Sequence, residues 1–366
     1  RAFRALQGLD AVLVNVQDVY DEFGYGIVGA APIRDFLAFA YGRWQTKPSY
    51  VVLVADGHYD PKNYLGYGRA SYIPPFLAVV DPWIGETAGD NRYVTLAGAD
   101  TMPDMMLGRL KVNSSAEAGV VVGKITTYEG QEPADWQQQV LAVADNADTA
   151  GNFAASSDAL LSGYLPQPYQ STKVYYGATH TTVDGARTAI QAGINAGKLI
   201  VSYFGHAGID LWAEEGLLKL ADVPLLQNGA KLPVVLSMTC YDGSYHYPSA
   251  AFALAEALTR ADGKGAVASW SPTGLGITAG HDYLARGFFQ AVFQNCPATL
   301  GEATNAGKLA LWTAGGSPDL LDTYLLFGDP ATTVPVVEPP PSADLQLAKV
   351  VSSTGEAKPG AVIEYT

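Results

Sequence analysis

The sequence runs to 366 residues with 22 basic and 36 acidic side chains, a formal net charge of −14. A hydrophobic fraction of 48% excludes a disordered chain, and no run approaches the ~18 uninterrupted apolar residues that a membrane span needs. The acidic balance argues against a nucleic-acid partner, whose phosphates demand basic patches. Two cysteines, Cys240 and Cys296, are too few for a disulfide scaffold or a thiolate zinc cage.

In chain order, Ala11–Val16 and Tyr50–Ala55 read as buried strands flanking an amphipathic helix over Pro32–Trp44. Gly57–Arg92 breaks the rhythm, being rich in Tyr, Pro, Gly and Asp without periodicity, and reads as a functional loop or a metal-dressed excursion. Met105–Val112 is a further strand, followed by a helix over Ser114–Glu129 that opens with the Ser114/Glu117 capping-box spacing. Strands then follow at Val140–Asp145, Lys173–Tyr176, Leu199–Phe204, Pro233–Thr239 and Gly265–Trp270. Helical patterns fall between or after them at Ser156–Tyr164, Val183–Asn195, Ala250–Arg260 and Gly280–Phe293. Such alternation predicts βαβ units, a mainly parallel sheet and an α/β fold.

Residues 1–132 and 133–336 read as two half-domains, with a seam near Gln131–Trp136. The prolines of 337–342 make a stiff linker, and 343–366 has the alternation of a truncated β domain. The chain opens at Arg1 without a Met or a signal-like segment and stops inside a strand-like pattern. It therefore reads as a fragment or processed product whose targeting segment lies upstream. Low charge with abundant Gly and Tyr fits a secreted protein.

Active sites of open α/β sheets form beyond the carboxyl ends of the strands. Leu199–Phe204 runs into Gly205-His206-Ala207-Gly208, and Pro233–Thr239 into Cys240-Tyr241-Asp242-Gly243. If these strands are parallel neighbours, His206 and Cys240 emerge at one edge. A cysteine nucleophile needs such a base, because the thiolate is the reactive form. Each residue alone has an ordinary explanation, as a buried hydrophobe or a loop histidine; the pairing at successive strand ends favours chemistry.

Together these residues resemble the caspase-like clan of cysteine peptidases and, more closely, the gingipain family of secreted bacterial endopeptidases. The resemblance extends to the Pro-rich linker through Tyr50–Pro61, Pro103–Val112, Ser202–Trp212, Leu236–Tyr245, Ala251–Ala268 and Leu325–Val334. It implies a three-layer sandwich in two half-domains, a missing first strand ahead of Arg1, and an immunoglobulin-like domain after the linker. It also implies Cys240 as nucleophile, His206 as general base and acid, and the amides of Cys240 and Ala207 as oxyanion hole. The family's histidine-orienting carboxylate falls in register on Ala147, with Asp148 next to it and Asp145 two before; Asp148 is preferred. Asp158 matches the acid that pairs with basic substrate side chains in arginine-specific members, and Trp212 the aromatic wall of that pocket. Trp270 is a second candidate wall in a segment that departs from the family pattern.

The resemblance thus implies a secreted or cell-surface cysteine endopeptidase, acting on protein or peptide substrates with basic residues through a thioester. A sortase-like transpeptidase and an inactive adhesin scaffold are the alternatives. No cofactor is expected for catalysis. Structural Ca²⁺ is implied by the family, with Asp56, Asp60, Asp81, Asp90, Asp100 and Asp104 as the oxygen-rich candidates, although acids in turns are the more ordinary explanation. Spacing assigns no zinc to the histidines, and Cys296 reads as structural.

Overall fold

Side chains that alternate between two apolar layers define the centre of the molecule. A computed structural model describes residues 1–249, 252–294 and 298–336. Helices α1 (Ala2–Leu6), α2 (Val16–Gly24) and α3 (Ala30–Arg43) precede strand β1 (Tyr50–Val54), the hairpin β2 (Leu77–Asp81) and β3 (Gly85–Ala88), and β4 (Met106–Leu110). There follow α4 (Ser115–Glu129), β5 (Gln139–Ala144), α5 (Phe153–Tyr164), β6 (Gln170–Tyr175), α6 (Val183–Ala196) and β7 (Ile200–Phe204). A short hairpin of β8 (Leu211–Trp212) and β9 (Leu218–Lys219) leads to β10 (Val234–Met238), α7 (Leu254–Arg260), β11 (Ala268–Pro272) and α8 (Thr278–Phe293). Helices α9 (Leu300–Thr313) and α10 (Asp319–Thr323) and strand β12 (Tyr324–Phe327) complete the described elements.

Eight strands form one sheet in the order β1-β4-β12-β11-β10-β7-β5-β6. All neighbours are parallel except β11 and β12, so two parallel blocks run in opposite directions and meet at that pair. Strand β12 comes from the end of the second predicted half-domain yet lies beside β4 of the first. In β5, Val140, Ala142 and Ala144 face a layer that includes α5, α8 and α9, while Leu141 and Val143 face one that includes α6 and α7. A strand buried on both faces reads as an unbroken apolar run, which is why β5, β7 and β10 stand out in the sequence.

One predicted strand is absent. Residues 11–15 have no regular structure, Val12, Leu13 and Val14 are exposed, and Val16 opens α2. The Asn15 side chain caps that helix by accepting from the Gln17 amide at 3.1 Å, so the apolar run is cut by a helix start. The irregular Gly57–Arg92 stretch holds the β2/β3 hairpin. Helix α9, not read from the sequence, carries a full capping box: Glu302 N donates to Thr299 Oγ1 at 3.3 Å, and Thr299 N to Glu302 Oε2 at 2.8 Å. At α4 the Glu117 amide does donate to Ser114 Oγ, but the Glu117 carboxylate turns to the Asn113 amide. The predicted linker, the β-domain start and Cys296 lie outside the described residues.

Candidate active site

Register carries His206 and Cys240 to matched positions at one edge of the sheet. Phe204 of β7 pairs with Met238 of β10, and β5 on the other side of β7 pairs Ala144 with Phe204. His206 and Cys240 are therefore each two residues beyond partnered positions of adjacent parallel strands, whose backbones run about 4.8 Å apart. The turn that carries His206 is tight: a Cβ on Gly205 would stand 2.4 Å from the Tyr203 hydroxyl and 2.5 Å from Asp145 Cβ. Only glycine fits there.

His206 Nε2 pairs with Asp148 Oδ2 at 2.8 Å, and both side chains are well exposed, at 45% and 39%. Phe153, the first residue of α5, meets the imidazole edge-on at 5.3 Å. The Asp148 carboxyl is held below its ordinary range, chiefly by the His206 hydrogen bond; burial opposes this, and the Ala150 and Gly151 amides add to the lowering. Asp145, the alternative acid, instead accepts from the His206 and Asn146 amides through its side chain, and burial raises its pKa. It holds backbone, while Asp148 holds the ring. With Nε2 so engaged, Nδ1 is the ring atom left for a partner.

Cys240 carries a free thiol. It stands in a turn whose next residue, Tyr241, adopts φ 59°. Its Sγ donates to the Gly276 carbonyl at 3.8 Å, so in this resting state the thiol is turned to the loop after β11. Burial pushes the thiol up to about 11; Asp242 and Asp81 add to the shift and the Gly276 contact offsets part of it. Gly276 is itself confined, since a Cβ there would stand 2.5 Å from His281 Nε2. Hydrogen bonds between catalytic groups often tighten only when substrate binds.

Two amides at this edge meet no acceptor among the described residues. Ala207 faces Trp212 across an antiparallel bridge whose hydrogen bonds are made by its neighbours, Gly208 N to Leu211 O at 3.0 Å and Ala213 N to His206 O at 2.7 Å. The Ala207 N–H therefore points away from the hairpin. Among the described residues neither it nor the Cys240 N–H meets an acceptor. Paired free amides beside a nucleophile can hold a developing oxyanion.

The expected specificity residues have partners within the protein. Asp158 is tied to Lys173 Nζ and to the Tyr175 hydroxyl, both at 2.7 Å. Partial burial pushes its carboxyl up, but those two bonds outweigh it and leave the pKa lowered. Trp212 is wholly buried, its ring parallel to that of Tyr203 at 4.4 Å, and its Nε1 donates to Asp242 Oδ2 at 3.0 Å. It presents no open aromatic wall in this state, because packing and a buried acceptor claim both its face and its N–H. Trp270 likewise lies in the core against Phe288. His246, the other imidazole near the turn in sequence, is buried, which lowers its pKa to about 3.

The candidate calcium acids are already engaged. Asp56 pairs with Lys111 and Arg69, and Asp90 with the buried Arg109. Asp60, Asp81, Asp100 and Asp104 accept from backbone amides within their turns. Among the described residues no group of three or more His, Cys, Asp or Glu side chains is placed to hold a metal ion.

Residues 1–335 match the profile of Peptidase family C25. The chain is 26% identical over 338 residues to gingipain R2 and to gingipain R1 of Porphyromonas gingivalis, covering 85% of this sequence but 41% and 30% of theirs. It thus spans less than half the length of these curated relatives. A crystal structure of the Arg-specific cysteine proteinase gingipain R superposes with a TM-score of 0.70 at 20% identity, covering 90% of this chain and 76% of that one. The complex of Porphyromonas gingivalis pro- and mature gingipain domains gives 0.69 at 22% identity, covering 86% and 73%. At these identities the structures speak for the fold alone.

Proposed function

Since the chain belongs to Peptidase family C25, we propose that it is a cysteine endopeptidase in which Cys240 attacks the scissile carbonyl and His206 moves the proton. The observation that carries this reading is the equivalent position of the two residues on hydrogen-bonded parallel strands, two residues past the Phe204–Met238 pair. Asp148 holds Nε2, so the Nε2–H tautomer leaves the Nδ1 lone pair as the proton acceptor.

The thiol rests protonated, with a pKa of about 11, so its ionisation accompanies attack on a bound peptide. Sγ turns from Gly276, gives its proton to His206 Nδ1 and bonds to the carbonyl carbon. The amides of Cys240 and Ala207 take the oxyanion. Collapse breaks the C–N bond, the leaving amine collects the proton from Nδ1, and a thioester remains. Water, losing a proton to Nδ1, then hydrolyses the thioester; the acid product departs and the thiol is restored.

Asp158 is the residue we assign to a basic P1 side chain, giving protein or peptide substrates cut after Arg or Lys. A substrate guanidinium would have to replace Lys173 on that carboxylate. The relatives named Arg-specific support this preference, and the family resemblance supports action outside the cell or at its surface.

Replacing Cys240 by Ala is expected to remove cleavage of an arginyl-amide reporter by at least about 10⁴-fold while leaving the melting profile intact. Turnover retained in that variant rejects the mechanism. For Asp158→Asn, a fall of roughly 10- to 100-fold in the Arg-over-Leu ratio of kcat/KM is expected; an unchanged ratio removes Asp158 from the pocket.

A further inference from the structure

One acid beside the nucleophile has no role in the mechanism above. Asp242 lies two residues after Cys240 and is wholly buried. Its Oδ2 accepts from Ser237 Oγ at 2.5 Å and from Trp212 Nε1 at 3.0 Å. Its backbone is tied as closely: Asp242 N donates to Cys240 O at 2.7 Å, and its carbonyl accepts from Ala255 N at 3.0 Å. Ser237 belongs to β10, so side chain and main chain both hold the turn that carries the nucleophile.

From Trp212 the connection runs on to the base. The indole lies flat on Tyr203, with 8° between the ring planes, and the Tyr203 hydroxyl donates to the His206 carbonyl at 2.5 Å. That carbonyl also accepts from Ala213 N, the residue after Trp212, at 2.7 Å. Both donors that fix the backbone of His206 are thus fastened to the indole that Asp242 holds. Each contact from the Cys240 carbonyl to the His206 carbonyl is a short hydrogen bond, a covalent link or a ring stack.

We propose that Asp242 is a positioning residue that locks the base loop onto the nucleophile turn through Trp212 and Tyr203, and so sets the placement of His206 relative to Cys240. The chemistry of the position follows from its surroundings. Ser237 and Trp212 both present donors, so the site needs one acceptor oxygen that takes two bonds. Asp242 Oδ1 makes no hydrogen bond of good geometry among the described residues. Burial raises the carboxyl to about 7, outweighing Ser237, Trp212 and Ser271, which favour the charged carboxylate. An uncharged side chain of the same shape can therefore serve. Asparagine offers one oxygen to both donors and puts its amide group where Oδ1 now stands; alanine leaves Ser237 and Trp212 with nothing to bond.

The inference rests on the Cys240 and His206 assignment, and the experiment separates the two. Steady-state kinetics on an arginyl-amide reporter would be measured for Asp242→Ala, Asp242→Asn, Trp212→Phe and the double variant Asp242→Ala/Trp212→Phe, with Cys240→Ala and His206→Ala as controls. Near-ultraviolet circular dichroism and melting curves would report the folded fraction. Misplacement of reacting groups by about 1 Å costs on the order of 10²-fold, so Asp242→Ala should lose about 100-fold in kcat with KM changed less than about threefold. Trp212→Phe keeps the stacked ring and loses only the donor, and should lose about tenfold. The double variant should be no worse than Asp242→Ala, because both act through one contact. Asp242→Asn should stay within about threefold of the parent.

Parent-like kcat in folded Asp242→Ala overturns the proposal. So do losses that multiply in the double variant, or an Asp242→Asn as impaired as Asp242→Ala. Should Asp242→Ala fail to fold, Trp212→Phe and Ser237→Ala decide: parent-like kcat in both overturns the proposal, and a loss in kcat at constant KM supports it. Turnover retained in Cys240→Ala would sink the underlying assignment itself. Inactive Cys240→Ala and His206→Ala beside parent-like Asp242 and Trp212 variants would sink the positioning role alone.

Discussion

The loop after β7 that carries His206 and the turn after β10 that carries Cys240 leave the sheet from matched positions, yet they treat charge in opposite ways. His206 and Asp148 form their pair in solvent. Cys240 is turned inward onto a carbonyl, near two carboxyls, and the same burial that orders the turn suppresses the thiolate. In the mechanism proposed above, the proton donor and acceptor thus sit on the two sides of a dielectric boundary. On that proposal the resting site holds a neutral thiol, and substrate-binding energy brings the two groups together.

The contrast can be attacked first where it is largest. A thiol pushed up to about 11 should be alkylated by iodoacetamide at pH 7 roughly 100-fold more slowly than a free cysteine of pKa about 8.5. Its rate should keep rising through pH 9. Rapid alkylation at pH 6 would mean a pre-ionised pair and would erase the distinction between the two loops.

A smaller effect is expected on the solvent side. Asp148→Ala should lower kcat by only about two- to fivefold, because an exposed ion pair contributes no more than about 1 kcal/mol. A loss beyond about 100-fold would show that the pair works as though buried.

The last test concerns stability and pH. The Asp242 carboxyl is raised from 3.8 to about 7 by burial, so its contribution is fully present below pH ~4 and is lost as pH rises towards 7. His246 and His281 behave conversely. Burial lowers both from 6.5 to about 3, and stability is lost as pH falls through that range. The opposing trends flatten the parent's profile. Asp242→Asn removes the acid and should gain on the parent between pH 4 and 7, by at most about 1.4 kcal/mol per pH unit. Parallel melting-temperature curves for the two proteins over that range would contradict the assignment.

Sequence pattern located most of the sheet, and it did so unevenly. β5, β7 and β10 were readable because apolar side chains on both faces leave no other arrangement for a short β-branched run. The same signal misled at Ala11–Val16, where an equally apolar run has no partnered strand and ends in the Asn15 helix cap. The Thr299 and Glu302 capping box that opens α9 was present in the sequence and could have been found. The β2/β3 hairpin could not, since no alternation marks it.

At the site, His206 and Cys240 could be singled out because strand ends are countable, and Asp148 because only two acids lay within reach of the turn. Trp212 was expected at a pocket and is found in the core. Its surroundings depend on Tyr203 and Asp242, one on the preceding strand and one 30 residues later, and no local pattern joins them. The strand that carries His206, the strand that carries Cys240, and their common edge follow from the order of residues along the chain, because strand periodicity and the handedness of crossovers are local rules. Whether the sulfur is ionised, which acid holds the ring and which the backbone, and what fastens one loop to the other depend on burial and on contacts between distant segments. Those belong to the folded molecule, since desolvation and hydrogen-bond geometry exist only once the chain has closed around itself.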